Sequence, residues 1–550
     1  MNMKRLIIAL VAVAIAINVK AQTLEEGIKL YNYGKFKSAK KALEPIADKT
    51  PLANYYLGLT ELQLGNKDKA RTIFLKLPDN YANMGGLARV NFAEGKAAEG
   101  MQLANALAAK AKKKEWEPLK YAGDAITYSE GGDAQQAITW YKTALSVYDN
   151  LEMRMSLGDA YLKLPQGGGG EAADNYDRVV AKDPKNSLTY ERIGKLFYAA
   201  RNYKVAQENW EKAKEADPNN PAPWGDLADA FTAVGRYDQA KTHIEKYVEL
   251  SDPSDAVMEK YMDVLFLSKN FKDAAAKAQE LINNGKTKAR YYGILAFSQY
   301  ELKDSVNALK NARTYFEKQE VSKNRPDDYR MFAKILLQNS KGEEANTYFN
   351  KAVEIDSSKN KSAAYRENAE TLRLAKEWLA AAKWYERIMS EYPADVNGND
   401  YFYAPFCHYY GHEYDVALTG FKLMKEKYPK EPSPVYWCGR AAAAIDNEAK
   451  DGTAVEFYEQ WLNMETASTY TRKPADLMQA YQYLLIYYFN KGDNDKAKIY
   501  IEKIRTVEPD NAAAKTIEDY IKSGTKVKVK PAGDVKPAKD TKAPAKKPAK

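Results

Sequence analysis

Residues 186–219 read NSLTYERIGKLFYAARNYKVAQENWEKAKEADPN, and this stretch decides the fold. Apolar and aromatic residues recur three or four positions apart, first around Ile193 and again around Trp210. This spacing places them on one face of each of two helices. Pro218 cannot continue a helix, so the second helix ends before it. The stretch therefore predicts a helical hairpin with an apolar face on both helices.

The same pattern returns about every 34 residues along most of the chain. The next units carry Trp224, Leu227 and Ala228, and then Tyr261 and Leu265. One hairpin cannot bury its apolar face alone, but neighbouring hairpins can bury it by stacking. The sequence therefore predicts an all-α stack of about 14 hairpins.

The pattern resembles that of the tetratricopeptide repeat family. Members of this family carry an aromatic residue, Leu, Gly or Ala, and Tyr on a first helix, then Ala, an aromatic residue and Ala on a second, and then Pro. The resemblance implies a solenoid of helical hairpins over residues 22–521, in which small residues such as Gly194 let paired helices approach closely. Pro405 stands where the family has Gly or Ala, so we expect that helix to be kinked or to start late.

The first 21 residues have the features of a secretory signal peptide. Lys4 and Arg5 precede an apolar run from Leu6 to Ile17, and Ala21 completes a small-residue cleavage site before Gln22. About 12 apolar residues are short for a membrane-spanning helix. We therefore expect export to the periplasm, with the outer membrane as a further location. The chain resembles the long exported tetratricopeptide proteins of Bacteroidota-type envelopes, whose mature sequences often begin with Gln.

The formal net charge of +9 is concentrated at the two ends of the chain. Residues 522–550 hold ten Lys and two Asp, with Pro and Ala between them, whereas the body of the chain is nearly neutral. Such a composition predicts a disordered, extended tail. The tail has three interpretations: an arm toward anionic lipid or envelope polymer, an arm toward nucleic acid, which export disfavours, or a plain solubilising spacer.

Residues that could carry out catalysis are scarce. The chain has three His and two Cys, and only Cys407, His408 and His412 form a cluster that could be drawn as a metal site. His408 occupies a packing position of the repeat and Gly411 marks a turn, so we interpret the cluster as structural. We expect no enzyme activity, no metal and no cofactor. Cys407 and Cys438 lie in neighbouring units and could form a disulfide or remain thiols.

The family resemblance implies that first helices line a concave groove, and their side chains form the candidate binding site. Aromatic residues and Arg contribute strongly to protein interfaces, and the groove also carries charged sets between the aromatic ones. The candidate residues are Phe297, Tyr300, Arg330, Lys334, Arg366, Arg373, Phe402, Phe406, Tyr409, Tyr436, Ile486 and Phe489; Tyr436 belongs to the set only if the register of its unit is one residue off.

We therefore expect a non-enzymatic scaffold or adaptor that holds other envelope proteins in its groove. An alternative from a different class is a glycan- or cell-wall-binding protein, in which the groove aromatics stack on sugars and the basic tail holds anionic polymer. Neither hypothesis includes nucleic acid as a partner, or a transmembrane span once the signal is cleaved.

Overall fold

The computed structural model describes residues 24–465 and 470–530, which are helical apart from short connections and contain no strand. They divide into two compact units at Leu302 and Lys303. The predicted signal peptide, residues 1–21, and residues 531–550 of the predicted tail lie outside the described part of the chain. The predicted all-α, tetratricopeptide-type architecture is confirmed.

Unit 1 is a series of helical hairpins, each made of an odd-numbered helix and the even-numbered helix that follows it, and it ends with α17. Its elements are α1 (24–32), α2 (Phe36–Leu43), a 3-10 turn (Glu44–Lys49), α3 (Pro51–Gln63), α4 (Lys67–Leu75), α5 (Tyr81–Ala93), α6 (Ala97–Ala108), α7 (Glu117–Thr127), α8 (Ala134–Val147), α9 (Leu151–Tyr161), α10 (Gly169–Lys182), α11 (Ser187–Ala199), α12 (Tyr203–Ala216), α13 (Ala222–Ala233), α14 (Tyr237–Leu250), α15 (Asp255–Leu267), α16 (Phe271–Asn283) and α17 (Ala289–Glu301).

Unit 2 continues the alternation and ends with an additional helix. Its elements are α18 (Ser305–Lys318), a 3-10 turn (Val321–Lys323), α19 (Pro326–Gln338), α20 (Gly342–Ile355), α21 (Ser362–Leu374), α22 (Trp378–Glu391), a 3-10 turn (Pro393–Asp395), α23 (Gly398–Tyr410), α24 (Tyr414–Lys427), α25 (Pro432–Ile445), α26 (Val455–Asn463), α27 (Pro474–Lys491), α28 (Asn494–Val507) and α29 (Ala512–Ser523).

Local sequence explains where many helices begin. Asn186 at the start of α11 accepts a hydrogen bond from the Thr189 amide, and Asn150 does the same for the Met153 amide at the start of α9. Both side chains satisfy a helix-terminal N–H that lacks a partner within the helix. Pro51 and Pro474 occupy the first turn of α3 and α27, where a missing N–H costs nothing.

Small residues on first helices make room for aromatic rings on second helices. A Cβ placed on Gly194 would lie 2.3 Å from the Trp210 indole nitrogen, and one on Gly58 would lie 2.3 Å from the Phe74 ring. Trp210 and Phe74 are almost completely buried, so their rings fill the space that the missing side chains leave. A buried aromatic side chain of this size contributes roughly 1.5–3 kcal/mol to stability.

Helix α23 is unbroken from Gly398 to Tyr410 and contains Pro405, so the expected late start is wrong. Asn397 caps the helix by accepting hydrogen bonds from the Asn399 and Asp400 amides. The facing helix α24 carries Gly420, where a Cβ would lie 2.7 Å from Pro405 Cβ. The absence of a side chain at Gly420 therefore makes room for the proline ring.

The first hairpin of unit 1 makes contacts with residues about 200 positions further along the chain. Tyr33 donates a 2.7 Å hydrogen bond to Asp217, and Lys29 forms an ion pair with the same carboxylate at 2.7 Å. Asp252 accepts hydrogen bonds from the Ser38 amide at 3.0 Å and the Ser38 hydroxyl at 2.6 Å. We call these contacts the closure of unit 1.

The C-terminal end of unit 2 is covered by later parts of the chain. Helix α29 packs on α28, and its Tyr520 ring stacks on Phe489 of α27 with the centroids 6.3 Å apart. Residues 524–530 then run without regular structure to Val529, whose N–H and C=O both bond the Asn490 side chain, at 3.0 and 2.8 Å. The first residues of the predicted tail are therefore held against α27.

Candidate functional site

Three of the candidate aromatic residues form a continuous surface in unit 2 together with Trp437. Phe402, Phe406 and Tyr409 lie on one face of α23, and the Trp437 ring of α25 lies 5.8, 5.2 and 5.4 Å from their respective centroids. All four side chains are partly exposed. We call these four residues the aromatic wall.

A half-buried cation borders the aromatic wall. The Arg440 guanidinium lies 4.4 Å from the Trp437 centroid and 4.9 Å from the Tyr409 centroid, and its Nε has no hydrogen-bond partner among the described residues. Cations over aromatic faces are attracted by the ring quadrupole. Trp378 of α22 extends the surface by stacking on Tyr410 at 5.0 Å.

Trp437, Arg440 and Trp378 were missed by the sequence prediction. The repeat pattern gives Trp437 a packing position, and it places the neighbouring Tyr436 in the groove only if the register of that unit is one residue off. In the structure the two are exchanged: Tyr436 is 5% exposed, lies 4.7 Å from the Trp461 ring, and has its hydroxyl 2.8 Å from Asp476. Tyr436 therefore packs between α26 and α27, whereas Trp437 belongs to the aromatic wall.

Ile486 and Phe489 of α27 are buried, at 5% and 8% exposure. Phe489 stacks on Tyr520 of α29, so the helix that ends unit 2 covers this candidate residue. The structure does not bring Ile486 and Phe489 to an open surface. Phe297 and Tyr300 of α17 are partly exposed and belong to unit 1, whereas the aromatic wall belongs to unit 2.

The charged candidates all contact neighbouring residues in unit 2. Arg330 pairs with Asp356 at 3.0 Å, and Lys334 pairs with Glu367 at 2.9 Å. Lys334 thus joins two successive hairpins, α19–α20 and α21–α22, whereas the Arg330 ion pair lies within the α19–α20 hairpin.

Arg366 and Arg373 act in the same way. Arg366 pairs with Asp400, a completely buried carboxylate that also accepts a hydrogen bond from the first backbone amide before α23. Arg373 lies 4.3 Å from the Tyr403 centroid. Arg366 is bound to the buried Asp400 carboxylate, so its charge stabilises the fold and is not available to a binding partner.

The Cys-His cluster does not converge on one point. Both ring nitrogens of His408 contact carboxylates, Glu386 at 2.7 Å and Glu413 at 2.6 Å, and these hydrogen bonds raise its pKa against the opposing effect of burial. His412 has a positive φ of 65° in the turn and lies 2.8 Å from the Tyr414 hydroxyl. No group of metal-binding residues occurs in the described part of the chain.

Cys407 and Cys438 are separate, buried thiols in the structure. Burial raises the pKa of both to about 12. A thiol with so high a pKa holds little reactive thiolate at neutral pH. These cysteines therefore pack as small apolar residues.

A second surface, in unit 1, was also missed by the sequence prediction. The first helices α1, α3, α5, α7, α9 and α11 surround a cavity of about 430 Å³. Its lining includes Tyr31, Tyr55, Tyr56, Tyr128 and Arg89. We call it the Arg89 cavity. Arg89 lies in one of the units whose repeat pattern is weak, so its position in the groove could not be read from the pattern.

Comparison with known families identifies repeats within the chain. A family model described as tetratricopeptide repeat matches residues 24–85 and 191–255, in unit 1. No curated protein matches the chain.

Several solved structures share local similarity with the chain. The C-terminal part of a TPR repeat-containing protein from Cytophaga hutchinsonii is 24% identical, covers 47% of this chain and 98% of its own, and has a TM-score of 0.36. A tetratricopeptide repeat protein from Parabacteroides merdae is 18% identical, covers 47% of this chain and 98% of its own, and has a TM-score of 0.30. YrrB, described as a TPR protein with an unusual peptide-binding site, is 14% identical, covers 34% of this chain and 93% of its own, and has a TM-score of 0.29.

None of the helices within the described ranges combines the length and the apolar character that crossing a bilayer requires.

Proposed function

We propose that this tetratricopeptide-repeat chain is a non-enzymatic scaffold of the bacterial cell envelope that holds partner proteins on the aromatic wall of unit 2. The observation that carries the proposal is the juxtaposition of Phe402, Phe406, Tyr409 and Trp437 beside the Arg440 guanidinium. Each side chain remains partly exposed although it is apolar or rich in ring surface. A contiguous apolar surface rimmed by polar groups is typical of an interaction site.

Physical chemistry favours a protein partner for this surface. Trp and Tyr lose little rotamer freedom for the area that they desolvate, and together with Arg they are enriched among the residues that contribute most energy to protein interfaces. Arg440 already lies over Trp437, so a partner carboxylate could bind the cation while an apolar side chain covers the neighbouring rings.

A glycan or cell-wall polymer is the alternative partner. Sugar rings stack on open aromatic faces, but Phe421 stacks on Trp437 at 5.4 Å and Arg440 lies over the same ring. These contacts compete with a sugar for the largest ring of the aromatic wall. The basic tail, ten Lys among residues 522–550, remains suited to anionic lipid or polymer and would act as a tether beside the protein-binding surface.

The periplasm is the proposed location. It is supported by the charged, apolar and small-residue segments of residues 1–21, which match the order found in secretory signals. The envelope partners would then be exported or outer-membrane proteins.

Replacement of Phe402, Phe406 and Tyr409 by Ala tests the aromatic wall. We expect capture of partner proteins, measured by crosslinking in cells followed by purification, to be lost, because the replacement removes most of the ring surface. Circular dichroism should show that the helical content is unchanged. A matched control replaces Val416 and Leu423, two exposed apolar residues of α24, by Ala and should retain capture.

The alternative is tested with the same proteins. Binding to purified peptidoglycan and lipopolysaccharide should depend on residues 523–550 and not on the aromatic wall. If the triple variant captures the same proteins as the wild type, the aromatic wall is not the partner site; if it loses polymer binding instead, the glycan hypothesis replaces the scaffold hypothesis.

A further inference from the structure

A run of lysines forms an exposed loop at one edge of unit 1. The connection from α6 to α7, residues 109–116, reads AKAKKKEW and contains the only three consecutive lysines of the chain. We call this connection the lysine loop. Its four lysine side chains are exposed, and none of their ammonium groups has an ion pair or a hydrogen bond among the described residues: Lys110, Lys112, Lys113 and Lys114.

The acidic residues beside the lysines do not neutralise the loop. Glu115 accepts a hydrogen bond from the Lys112 backbone amide at 3.3 Å, so this carboxylate turns back onto the loop backbone. Glu117 lies in the first turn of α7, where the helix dipole favours a negative charge. Elsewhere in unit 1, lysines such as Lys286 pair with an acid, in that case Asp255 at 2.6 Å. Four lysines against two acids leave the lysine loop positively charged.

The neighbouring connection, from α8 to α9, extends the positive surface. Asp149 in this connection forms ion pairs with Arg154 and Lys182, both at 2.5 Å. Hydrogen bonds from these two cations lower the pKa of Asp149 to about 2, so the carboxylate is ionised and faces two positive charges. The two connections are in contact, because the Trp116 and Tyr148 ring centroids lie 5.2 Å apart. The positive surface therefore spans successive hairpins.

Aromatic and apolar side chains lie beside the lysines. Tyr148 is 49% exposed, Val147 is 41% exposed, and Trp116 is partly exposed. Neither the Trp116 indole N–H nor the Tyr148 hydroxyl has a hydrogen-bond partner within the described ranges. Trp and Tyr are enriched where proteins meet bilayer headgroups, since the ring is apolar while its N–H or O–H bonds polar groups. Lysine stems contact the same layer while their ammonium groups stay in water.

We infer that the lysine loop, together with Trp116 and Tyr148, docks unit 1 onto an anionic phospholipid surface. Lysines within about a Debye length of such a surface, roughly 8–10 Å, are attracted to its headgroups. The loop contains no Arg, the residue that recognises a single phosphate or carboxylate by paired hydrogen bonds, whereas a diffuse layer of headgroups requires only positive charge. A free phosphate offers the same charge but no apolar layer for the two rings.

Vesicle binding by the purified full chain tests the inference. The probes are vesicles of phosphatidylcholine alone and of equal parts phosphatidylcholine and phosphatidylglycerol, separated from free protein by flotation. We expect binding to the anionic vesicles only, and replacement of all four lysines of the loop by Gln should weaken it about tenfold or more. Replacement of Trp116 and Tyr148 by Ala should weaken it several-fold at unchanged charge.

A matched control separates the position of the lysines from the net charge of the chain. It replaces four exposed lysines elsewhere in unit 1 by Gln: Lys41, Lys69, Lys185 and Lys204. This control should bind anionic vesicles nearly as well as the wild type. Residues 522–550 are the same in all of these proteins, so the basic tail cannot account for a difference between them.

A fluorescent label reports whether the loop itself meets the membrane. Ala109→Cys, at the start of the lysine loop, is modified with an environment-sensitive maleimide dye, and Ala200→Cys, at the exposed end of α11, is the control. Cys407 and Cys438 are buried and should not react. We expect the emission of the label at position 109 to shift to shorter wavelength with anionic vesicles, and that at position 200 to stay unchanged.

The inference is overturned if the loop variant binds anionic vesicles as well as its matched control. It is also overturned if the protein binds while the label at position 109 shows no shift, since the tail would then be the membrane contact. Loop-dependent binding of inorganic phosphate, polyglutamate or lipopolysaccharide without binding of anionic vesicles would overturn it as well. The triple Ala variant of the aromatic wall should bind vesicles normally, so the inference and the proposed function of unit 2 can fail independently.

Discussion

Asp226 illustrates how a single half-buried group couples the stability of unit 1 to pH. Its carboxyl lies in α13, and burial, with a smaller contribution from Glu191, raises its pKa from 3.8 to about 7, although Lys195 opposes the shift. One of its oxygens has no hydrogen-bond partner among the described residues. The native state therefore holds a proton that the unfolded chain releases at a lower pH.

Replacement of Asp226 by Asn is expected to stabilise unit 1 at alkaline pH. Because the folded pKa is above the unfolded one, the stability of the wild type falls as pH rises from about 4 to about 7 and then stays low. Asn is neutral throughout, so its advantage should be small at pH 4 and largest at pH 8. Denaturation midpoints at pH 4, 5.5 and 8 measure it, with Asp177→Asn on exposed α10 as the control. An equal difference at all three values would contradict the assignment.

At the residue scale, the sequence pattern predicted packing positions well and groove positions less well. Gly194 was expected to let paired helices approach closely, and the atoms nearest to an added Cβ there belong to Trp210 of the paired helix. Tyr436 and Trp437 were exchanged because adjacent residues of a helix point about 100° apart, and the pattern fixes the register only to one residue. The position of Arg89 in a cavity could not be predicted, because the lining of that cavity comes from six helices that are distant in the sequence.

At the scale of the helical hairpin, the close approach of two helices depends on residues that lack a side chain. We expect Gly194→Ala to destabilise the α11–α12 hairpin by about 1–3 kcal/mol, since the added methyl group would overlap the buried Trp210 ring. The gain in helix propensity, about 1 kcal/mol, offsets part of this cost. Urea denaturation followed by tryptophan fluorescence measures the change.

Gly170→Ala is the matched control for that substitution. Gly170 lies in the first turn of α10, and no atom would lie within 4 Å of an added Cβ. Without a steric cost, the replacement should stabilise the chain by about 0.4–1 kcal/mol, because Ala reduces the freedom of the unfolded chain. If both substitutions change stability in the same direction, steric contact does not determine the tolerance at Gly194.

The sequence predicted where the chain departs from the repeat, but it did not predict the contacts that these departures make. The sequence of residues 463–476 is longer than the repeat requires and predicts a long connection, and α26 ends at Asn463 while α27 begins at Pro474. The contacts of Arg472 could not be predicted: its side chain donates to the Trp461 and Met464 carbonyls, which links the residues before α27 to the end of α26. Such contacts depend on side chains outside the repeating pattern.

At the scale of a whole unit, the closure gives unit 1 contacts that a simple repeat array lacks. Helix α2 has no side-chain cap of its own, and the Asp252 carboxylate, 214 residues away from Ser38, bonds the backbone amide in its first turn. The sequence could not predict this contact, because a repeating pattern describes only neighbouring hairpins.

The double replacement of Asp217 and Asp252 by Ala should loosen the first hairpin. Loss of a helix cap costs about 1 kcal/mol, and the ion pair with Lys29 is lost as well, so amide exchange in residues 24–49 should become about tenfold faster. Hydrogen exchange with mass spectrometry measures this, and α9 and α10 should be unaffected. Asp177→Ala is the control. Unchanged exchange in residues 24–49 would show that the closure contributes nothing to local stability.

The closure also limits how unit 1 can change in size. Solenoids commonly lengthen or shorten by duplication or loss of a hairpin, because each hairpin needs only its neighbours. In unit 1, a hairpin added or removed between α2 and α15 would carry Asp217 and Asp252 away from Tyr33 and Ser38. The number of hairpins in this interval is therefore fixed by geometry, and a duplication there would separate both aspartates from their partners in the first hairpin and leave α2 uncapped.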